Sequence, residues 1–196
     1  AAIDWSRKRK SVVVSDECYL EFGDSVKPTS ILHYTGGDNT NILTVLSLSK
    51  RSSMAGYRAA FIVGDPVLIA RILEVRKHAG MMVPLPVQHA MIAALSDEKH
   101  VTEQRARYNA RRATLTPALT AAGFRIEHSE AGLYIWATRN ENCWDSISWL
   151  AERGVIATPG IFYGEGGASH IRIAMTATDA QIAEAAERIN SKVGAP

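Results

Sequence analysis

Three apolar runs mark the first third of the chain, SVVVSD (11–16), ILTVLSLSK (42–50) and AAFIVGD (59–65), and each closes on polar residues. Continuous β-branched and aliphatic runs of this length read as strands buried on both faces. They predict an α/β sheet, and such sheets place their ligands at the C-terminal ends of the strands. Asp16 and Lys50 fall at those ends. From Pro66 the period changes. Leu68, Ile69, Ile72, Leu73 and Val75 recur at helical spacing as far as His78, and VQHAMIAALSD (87–97) is a second amphipathic helix after Pro84 and Pro86. A long, arginine-rich helical pattern covers 98–122. Beyond it the rhythm shortens to FRIEH (124–128), LYIWAT (133–138), VIATP (155–159) and SHIRIAM (169–175), with helices predicted over 145–153 and 179–191.

These patterns divide the chain at 97. Residues 1–97 read as part of an α/β ligand-binding domain, and 98–196 as a connector helix with a small α+β domain. A chain of 196 residues with 46% hydrophobic content can bury a sizeable core. Its formal charge is +2, and basic residues cluster only at 7–10 and 105–112. The second cluster reads as a solvated helix face, so no nucleic-acid or membrane partner is expected. No window approaches the roughly 18 apolar residues of a membrane span. The opening AAIDWSRKRKSVVVSDE lacks a signal-peptide core and reads as a helix leading into a strand. Cys18 and Cys143 have no spacing that suggests a disulfide or a zinc site, which makes the cytoplasm the expected compartment and Cys18 a small buried residue. His78, His89 and His100 are not spaced as ligands on one helical turn, and no metal is expected.

The chemistry concentrates in SLSKRSSMAGYR (47–58). Ser47 and Ser49, two positions apart, would share a strand face and could both donate to one anion. Arg58 offers the planar fork that suits phosphate, and Gly56 lets the backbone turn tightly between them. Taken alone, Lys50 is a solvated strand-end residue. Upstream, SDECY (15–19) places Tyr19 three residues after Asp16, which alone is an acidic strand end. Together, a lysine, a carboxylate and a phenol are what a pyridoxal phosphate ring needs: the carboxylate keeps the ring nitrogen protonated, and the phenol bonds the ring oxygen. Arg172, between Ile171 and Ile173, is by itself an outward-facing strand arginine, and Tyr134 and Trp136 read as packing.

SLSKRSSMAGYR resembles the Schiff-base lysine motif S-x-S-K-x-x-x-x-x-G-x-R of the class I/II aminotransferases of fold type I, and SDECY resembles their D-x-x-Y motif. EAGLYIWA, GVIATPGIFYG and HIRIAM resemble the family's small-domain segments in the same order. The resemblance implies the second half of the pyridoxal-phosphate-binding large domain, a mostly parallel sheet with flanking helices, followed by the small domain. It implies pyridoxal 5'-phosphate as cofactor. Lys50 would bond to it covalently and move the proton between substrate Cα and the cofactor; Asp16 would pair with the ring nitrogen and Tyr19 with the ring oxygen. Ser47, Ser49 and Arg58 would hold the phosphate, and Arg172 would clamp the substrate α-carboxylate.

The family's chains are about twice as long. Their N-terminal half, which brings a glycine-containing phosphate loop, a stacking aromatic and an asparagine beside the ring, has no counterpart here, so the resemblance implies a missing partner segment and a homodimer. VVVSDECYLEFG, SLSKRSSMAGYR and EVRKHAGMMVPLPVQHAM look most like the actinobacterial type of N-succinyldiaminopimelate aminotransferase. That likeness implies glutamate as donor and N-succinyl-2-amino-6-oxopimelate as acceptor, in lysine and diaminopimelate biosynthesis. The same motifs also fit another amino-acid aminotransferase, a C–S lyase, or the sensing domain of a transcription regulator that binds the cofactor without turnover. An inactive relative would be expected to lose Asp16 or Arg172, and both are present.

Overall fold

The computed structural model describes residues 1–191. The chain forms two compact units: Ala1–Phe22 with Lys27–Thr102, and Gly23–Val26 with the residues from Glu103 onward.

In the first unit, α1 (Ala2–Arg9) precedes β1 (Val13–Asp16), β2 (Ile42–Ser47), the one-turn helix α2 (Leu48–Arg51) and β3 (Ala60–Gly64). Two longer helices follow, α3 (Pro66–His78) and α4 (Leu85–Leu95), and then the first residues of α5 (Lys99–Ala121). The sheet order is β1-β2-β3. β1 pairs with β2 in parallel, Val13 opposite Ile42 and Asp16 opposite Val45. β3 pairs with β2 antiparallel, Ser47 opposite Ala60 and Leu43 opposite Gly64. The sheet of this unit is therefore mixed, one parallel and one antiparallel pairing. Its register has a simple consequence: β1 and β2 deliver their C-terminal ends to one edge, and β3 starts from that edge.

Central β2 is the buried strand, with Ile42 and Thr44 at 0% exposure. The coverage of both faces that the apolar runs suggested holds for β2 and fails outside it. Val12, Val14 and Val63 are exposed, and neither α3 nor α4 contains a buried residue, so Leu73, Val75, Leu85 and Ile92 stand open to solvent. The run 42–50 also does not stay extended. It leaves the strand at Ser47, whose hydroxyl accepts the Ser49 N–H at 3.1 Å and so starts α2. At the far edge, Gly64 has φ +139°, and a Cβ there would lie 2.1 Å from the Ile42 carbonyl oxygen. Only glycine permits that approach.

The second unit holds the rest of α5, then β4 (Arg125–Glu127), β5 (Tyr134–Thr138), α6 (Cys143–Ala151), β6 (Thr158–Pro159), β7 (Ile171–Ala174) and α7 (Asp179–Asn190). Its four strands are antiparallel in the order β4-β5-β7-β6. Ile135, Ala137, Ile171 and Ile173 point into a core shared with Leu115, Leu119, Phe124 and Leu150. The amphipathic α7 opens with a capping box between Thr178 and Gln181. Among the described residues no helix is long and apolar enough to cross a membrane.

The arginine run of α5 is not a uniformly solvated face. Arg107 is exposed, but Arg112 is buried and donates to the carbonyls of Ser129 and Gly132, the latter at 2.6 Å, with its Nε 3.6 Å from the Asp24 carboxylate. Arg111 bonds Asp179 at 2.5 Å and the Met175 carbonyl at 3.0 Å. Helical periodicity turns these two inward, where they bind loop carbonyls that no sheet partner satisfies. Replacing Arg112 by Ala should lower the stability of the full-length protein by about 2–3 kcal/mol, read from urea denaturation, because buried acceptors lose their donor. A change under about 0.5 kcal/mol would restore the reading of a solvated face.

Asp65, at the start of α3, supplies a pH-dependent contact. Its Oδ2 accepts the Asn41 N–H at 2.8 Å, and its Oδ1 accepts Val67 N–H at 2.8 Å and Leu68 N–H at 3.3 Å. These bonds, that of Asn41 first, hold the carboxyl below its usual range. A depressed folded pKa stabilises above the unfolded value, about 3.9, and that contribution is lost as pH falls through the folded value. Asp65→Asn, which keeps only one accepting oxygen, should lower the melting temperature at pH 7, and the gap should narrow as pH falls to 3. An equal gap at both pH values would mean that the charge plays no part.

Candidate active site

The shared edge of the first sheet gathers most of the chemistry-bearing residues. Asp16 is the last residue of β1, and its Oδ1 accepts the Cys18 N–H at 3.1 Å. The Cys18 thiol, then the Cys18 amide, hold this exposed carboxyl below its usual range, so it is an anion at neutral pH. Cys18 itself is half-buried, not buried as its position suggested, and burial followed by the neighbouring Asp16 pushes its thiol up to about 11. It is a neutral donor, not a nucleophile. Tyr19 lies in the turn that leaves β1 and is 40% exposed.

On the parallel neighbour, Ser47 ends β2. Its hydroxyl accepts the Ser49 N–H and reaches the Ala59 carbonyl at a long 3.4 Å. Ser49 and Lys50 belong to α2, so Ser47 and Ser49 do not share a strand face. The helical turn separates them, and positions two apart on a helix do not face each other. Lys50 is half-buried, and its amine has no hydrogen bond or ion pair among the described residues. An amine kept out of ion pairs is available to react.

Arg58 stands two residues before the start of β3, at the same edge. Its Nη1 donates to Ala55 O at 2.9 Å, and the residue is exposed. Gly56 does not make the tight turn between Lys50 and Arg58: it has no positive φ, and the reversal is carried by Ser53 (φ 53°) and Arg58 (φ 54°). Both are non-glycine residues in the left-handed region, a conformation found at sites the surrounding structure over-determines.

Arg172 belongs to the second unit. It lies on β7 opposite Trp136 on one side and Thr158 on the other. Its guanidinium carbon is 4.1 Å from the centroid of Tyr134 and 5.0 Å from that of Tyr163. The Nε is buried without an acceptor, and among the described residues no carboxylate pairs with this arginine. The nearby Glu127 is engaged elsewhere. Its carboxyl bonds His170 Nε2 at 2.9 Å and also holds Arg125, and these contacts, His170 first, lower its pKa. His170 in turn stacks on Trp136, centroids 5.1 Å apart and 9° from parallel. Tyr134 packs, as its alternation suggested, and what it packs against is Arg172: its ring is the aromatic face on which the guanidinium rests. The alternation in LYIWAT puts Tyr134 on Arg172's face of the sheet. Nothing in the sequence pointed to Tyr163.

Residues 1–189 match the family model of aminotransferase class I and II. The chain belongs to this family. It is 57% identical over 189 residues to a probable aminotransferase of Mycobacterium tuberculosis, covering 95% of this chain and 45% of that one. It is 54% identical to the 4-dedimethylamino-4-oxo-anhydrotetracycline transaminase of Streptomyces rimosus, covering 95% and 53%, and 35% identical to an LL-diaminopimelate aminotransferase of Oleidesulfovibrio alaskensis, covering 95% and 49%. Among solved structures, an aminotransferase from Neisseria meningitidis matches with a TM-score of 0.86 and 31% identity over 96% of this chain and 51% of its own. The chain spans about half the length of the curated relatives it matches.

The family depends on pyridoxal phosphate. The residues here fit that group on two observations: Lys50 has an uncommitted amine, and Asp16 keeps a negative charge that a protonated ring nitrogen requires. Arg172 generates a separate expectation. In the full-length protein loaded with cofactor, Arg172→Lys should weaken amino-acid binding about tenfold or more while leaving cofactor content unchanged, because a lysine offers a point charge in place of a two-pronged fork. Spectral titration with glutamate measures it. Unchanged affinity would mean that the arginine only packs.

Proposed function

We propose that the full-length protein is an aminotransferase that moves an amino group between glutamate and a 2-oxo acid, with this chain supplying the lysine half of its site. The observation that carries the reading is the Lys50 amine, without a partner among the described residues, on a helical turn at the sheet edge that also bears the ionised Asp16. When bound, pyridoxal phosphate supplies an aldehyde carbon and an electron-withdrawing ring. Lys50 would hold it covalently, and its amine would serve as the base that moves the proton of substrate Cα. Asp16 holds the ring nitrogen in its protonated form, and Tyr19 donates to the ring oxygen. Ser47, Ser49 and Arg58 bind the phosphate: the Ser49 hydroxyl has no partner among the described residues, and the Ser47 contact to Ala59 is long enough to give way. Arg172 orients the substrate through its α-carboxylate.

The substrate we propose is N-succinyl-LL-2,6-diaminopimelate with its 2-oxo counterpart. The support is the sequence resemblance together with relatives named LL-diaminopimelate aminotransferases. The tetracycline-intermediate transaminase, at higher identity, favours a second reading with a bulky cyclic ketone as acceptor. A cytoplasmic homodimer is part of the proposal. Exposed Val14, Leu73, Val75, Leu85 and Ile92 form apolar surface of the kind that a further part of the fold or a second copy covers.

The test is a visible spectrum of the full-length protein purified with pyridoxal phosphate, before and after glutamate and then N-succinyl-diaminopimelate. Loss of the lysine-bound band, with the cofactor left in its amino form, supports transamination, and the amine that acts ranks the two substrates. A third addition, the cysteine thioether cystathionine, tests the C–S lyase reading: release of a thiol, ammonia and a 2-oxo acid with the band restored would point to it. A band unmoved by either amine would favour the sensing domain of a regulator, and no band at all would remove the cofactor reading. Lys50→Ala should abolish the band and reduce turnover by at least about a thousandfold.

A further inference from the structure

A helix of four residues cannot hold itself together, since forming one turn costs more conformational freedom than its single hydrogen bond returns. Yet α2 (Leu48–Arg51) carries Lys50. Something outside the turn fixes its rotation, and with it the direction in which the lysine stem leaves the sheet edge. Leu48, fully buried, anchors one side of the turn. The other side belongs to Arg51, the residue next to the lysine.

Arg51 is buried, its side chain only 10% exposed. Its Nη1 donates to the Ala94 carbonyl at 3.0 Å and touches the Ser52 hydroxyl at 3.4 Å. Its Nη2 pairs with the Glu98 carboxylate, and its Nε lies 3.6 Å from Glu21. Ala94 is in the last turn of α4, where carbonyls have no helical partner and a cation is favoured. Glu21 lies two residues after Tyr19. One guanidinium therefore joins three segments: the turn after β1, the lysine turn and the end of α4. The adjoining Ser52, which caps α2, is gripped by the same region. Its hydroxyl is 3.0 Å from His100 Nε2, and His100 Nδ1 is 2.7 Å from Asp97 Oδ2.

We infer that Arg51 is a positioning residue for Lys50: its buried fork ties the lysine turn to Ala94, Glu98 and Glu21 and so sets where the lysine amine points. The carboxylates that meet this buried arginine are themselves exposed, Glu98 at 71% and Glu21 at 37%, so solvent screens the attraction and the pairs are a poor device for stability alone; an apolar side chain of similar volume would pack as well. What an apolar side chain cannot do is address a carbonyl and two carboxylates on different segments at fixed angles. That is a requirement of position, and reacting groups misplaced by about 1 Å lose on the order of a hundredfold in rate. The inference rests on the aminotransferase reading for its kinetic consequence. Its structural consequence stands without it.

The experiment compares Arg51→Met, Arg51→Lys and the wild type in the full-length protein, with two readouts. The first is amide hydrogen exchange of the cofactor-free protein, which does not depend on activity. Arg51→Met should raise exchange in peptides spanning 47–54 about tenfold or more and leave β5 and β7 unchanged. The second is steady-state transamination with glutamate. Arg51→Met should lower kcat about ten- to a hundredfold with KM for glutamate little changed, and Arg51→Lys should recover part of kcat. Unchanged exchange across 47–54, or a rise spread evenly over the whole chain, would overturn the proposal and leave Arg51 as a general stabilising contact. If Arg51→Met does not fold, Glu98→Gln and His100→Ala loosen the two ends of the clasp separately, and wild-type exchange in both would also overturn it. A wild type that shows no transamination sinks the functional reading, while the exchange result still decides the positioning role.

Discussion

The hydroxyl of Ser47 ends a strand and begins a helix, and the candidate site follows from that change. Had ILTVLSLSK stayed extended to Lys50, Ser49 would share a sheet face with Ser47, and the lysine would continue the strand. Instead the Ser47 oxygen accepts the Ser49 N–H, and α2 turns Lys50 away from the ladder while β2 keeps its pairing with Ala60. The same sheet edge receives Asp16 through the parallel pairing of β1 and β2, and Arg58 through the antiparallel start of β3. One local capping bond and two pairing directions thus bring a lysine, a carboxylate and a guanidinium to one edge from positions spread over 43 residues, 16 to 58.

A common electrostatic logic runs through both units. The two cations that would meet a ligand, Lys50 and Arg172, have no ion pair among the described residues, and the charges beside them are committed. Among the described residues Lys50 is without an ion pair, while the adjacent Arg51 is held by Glu98, Glu21 and Ala94. Arg172 rests on Tyr134 with its Nε unpaired, while the nearby carboxylate Glu127 is taken by His170 and Arg125. An unpaired cation close to a free carboxylate would collapse into an ion pair, so the committed neighbours keep the two cations available. The aromatic face under Arg172 serves the same end, since it attracts a guanidinium without occupying its hydrogen-bonding edge.

The two units differ in how they bury apolar surface. The second encloses a core of strand residues, the C-terminal part of α5 and one face each of α6 and α7. The first buries β2 but leaves β1, α3 and α4 with exposed valine, leucine and isoleucine side chains. Large apolar side chains left exposed on several neighbouring elements mark a surface of the kind that meets another part of a protein. Relatives about twice as long are where such a surface would be covered.

Most elements were legible in the sequence because their signals are local. The predicted helix at Pro66 to His78 coincides with α3, and LYIWAT and SHIRIAM contain β5 and β7, since hydrophobic periodicity is set by neighbouring residues. The lysine and D-x-x-Y motifs likewise announced the family, which the whole-chain match bears out, because chemistry of this kind demands particular residue types at particular spacings. What the sequence did not determine depends on partners distant along the chain. The direction of β3, the inward turn of Arg111 and Arg112, the reversal carried by Ser53 and Arg58 and not by Gly56, and the half-exposed Cys18 beside Asp16 all come from such contacts. So does the clasp on Arg51. The sequence by itself determined which residues could act and roughly which elements carry them; only the tertiary structure decided which charges are paired and which are left free, because pairing depends on approach in space between segments that no local pattern relates.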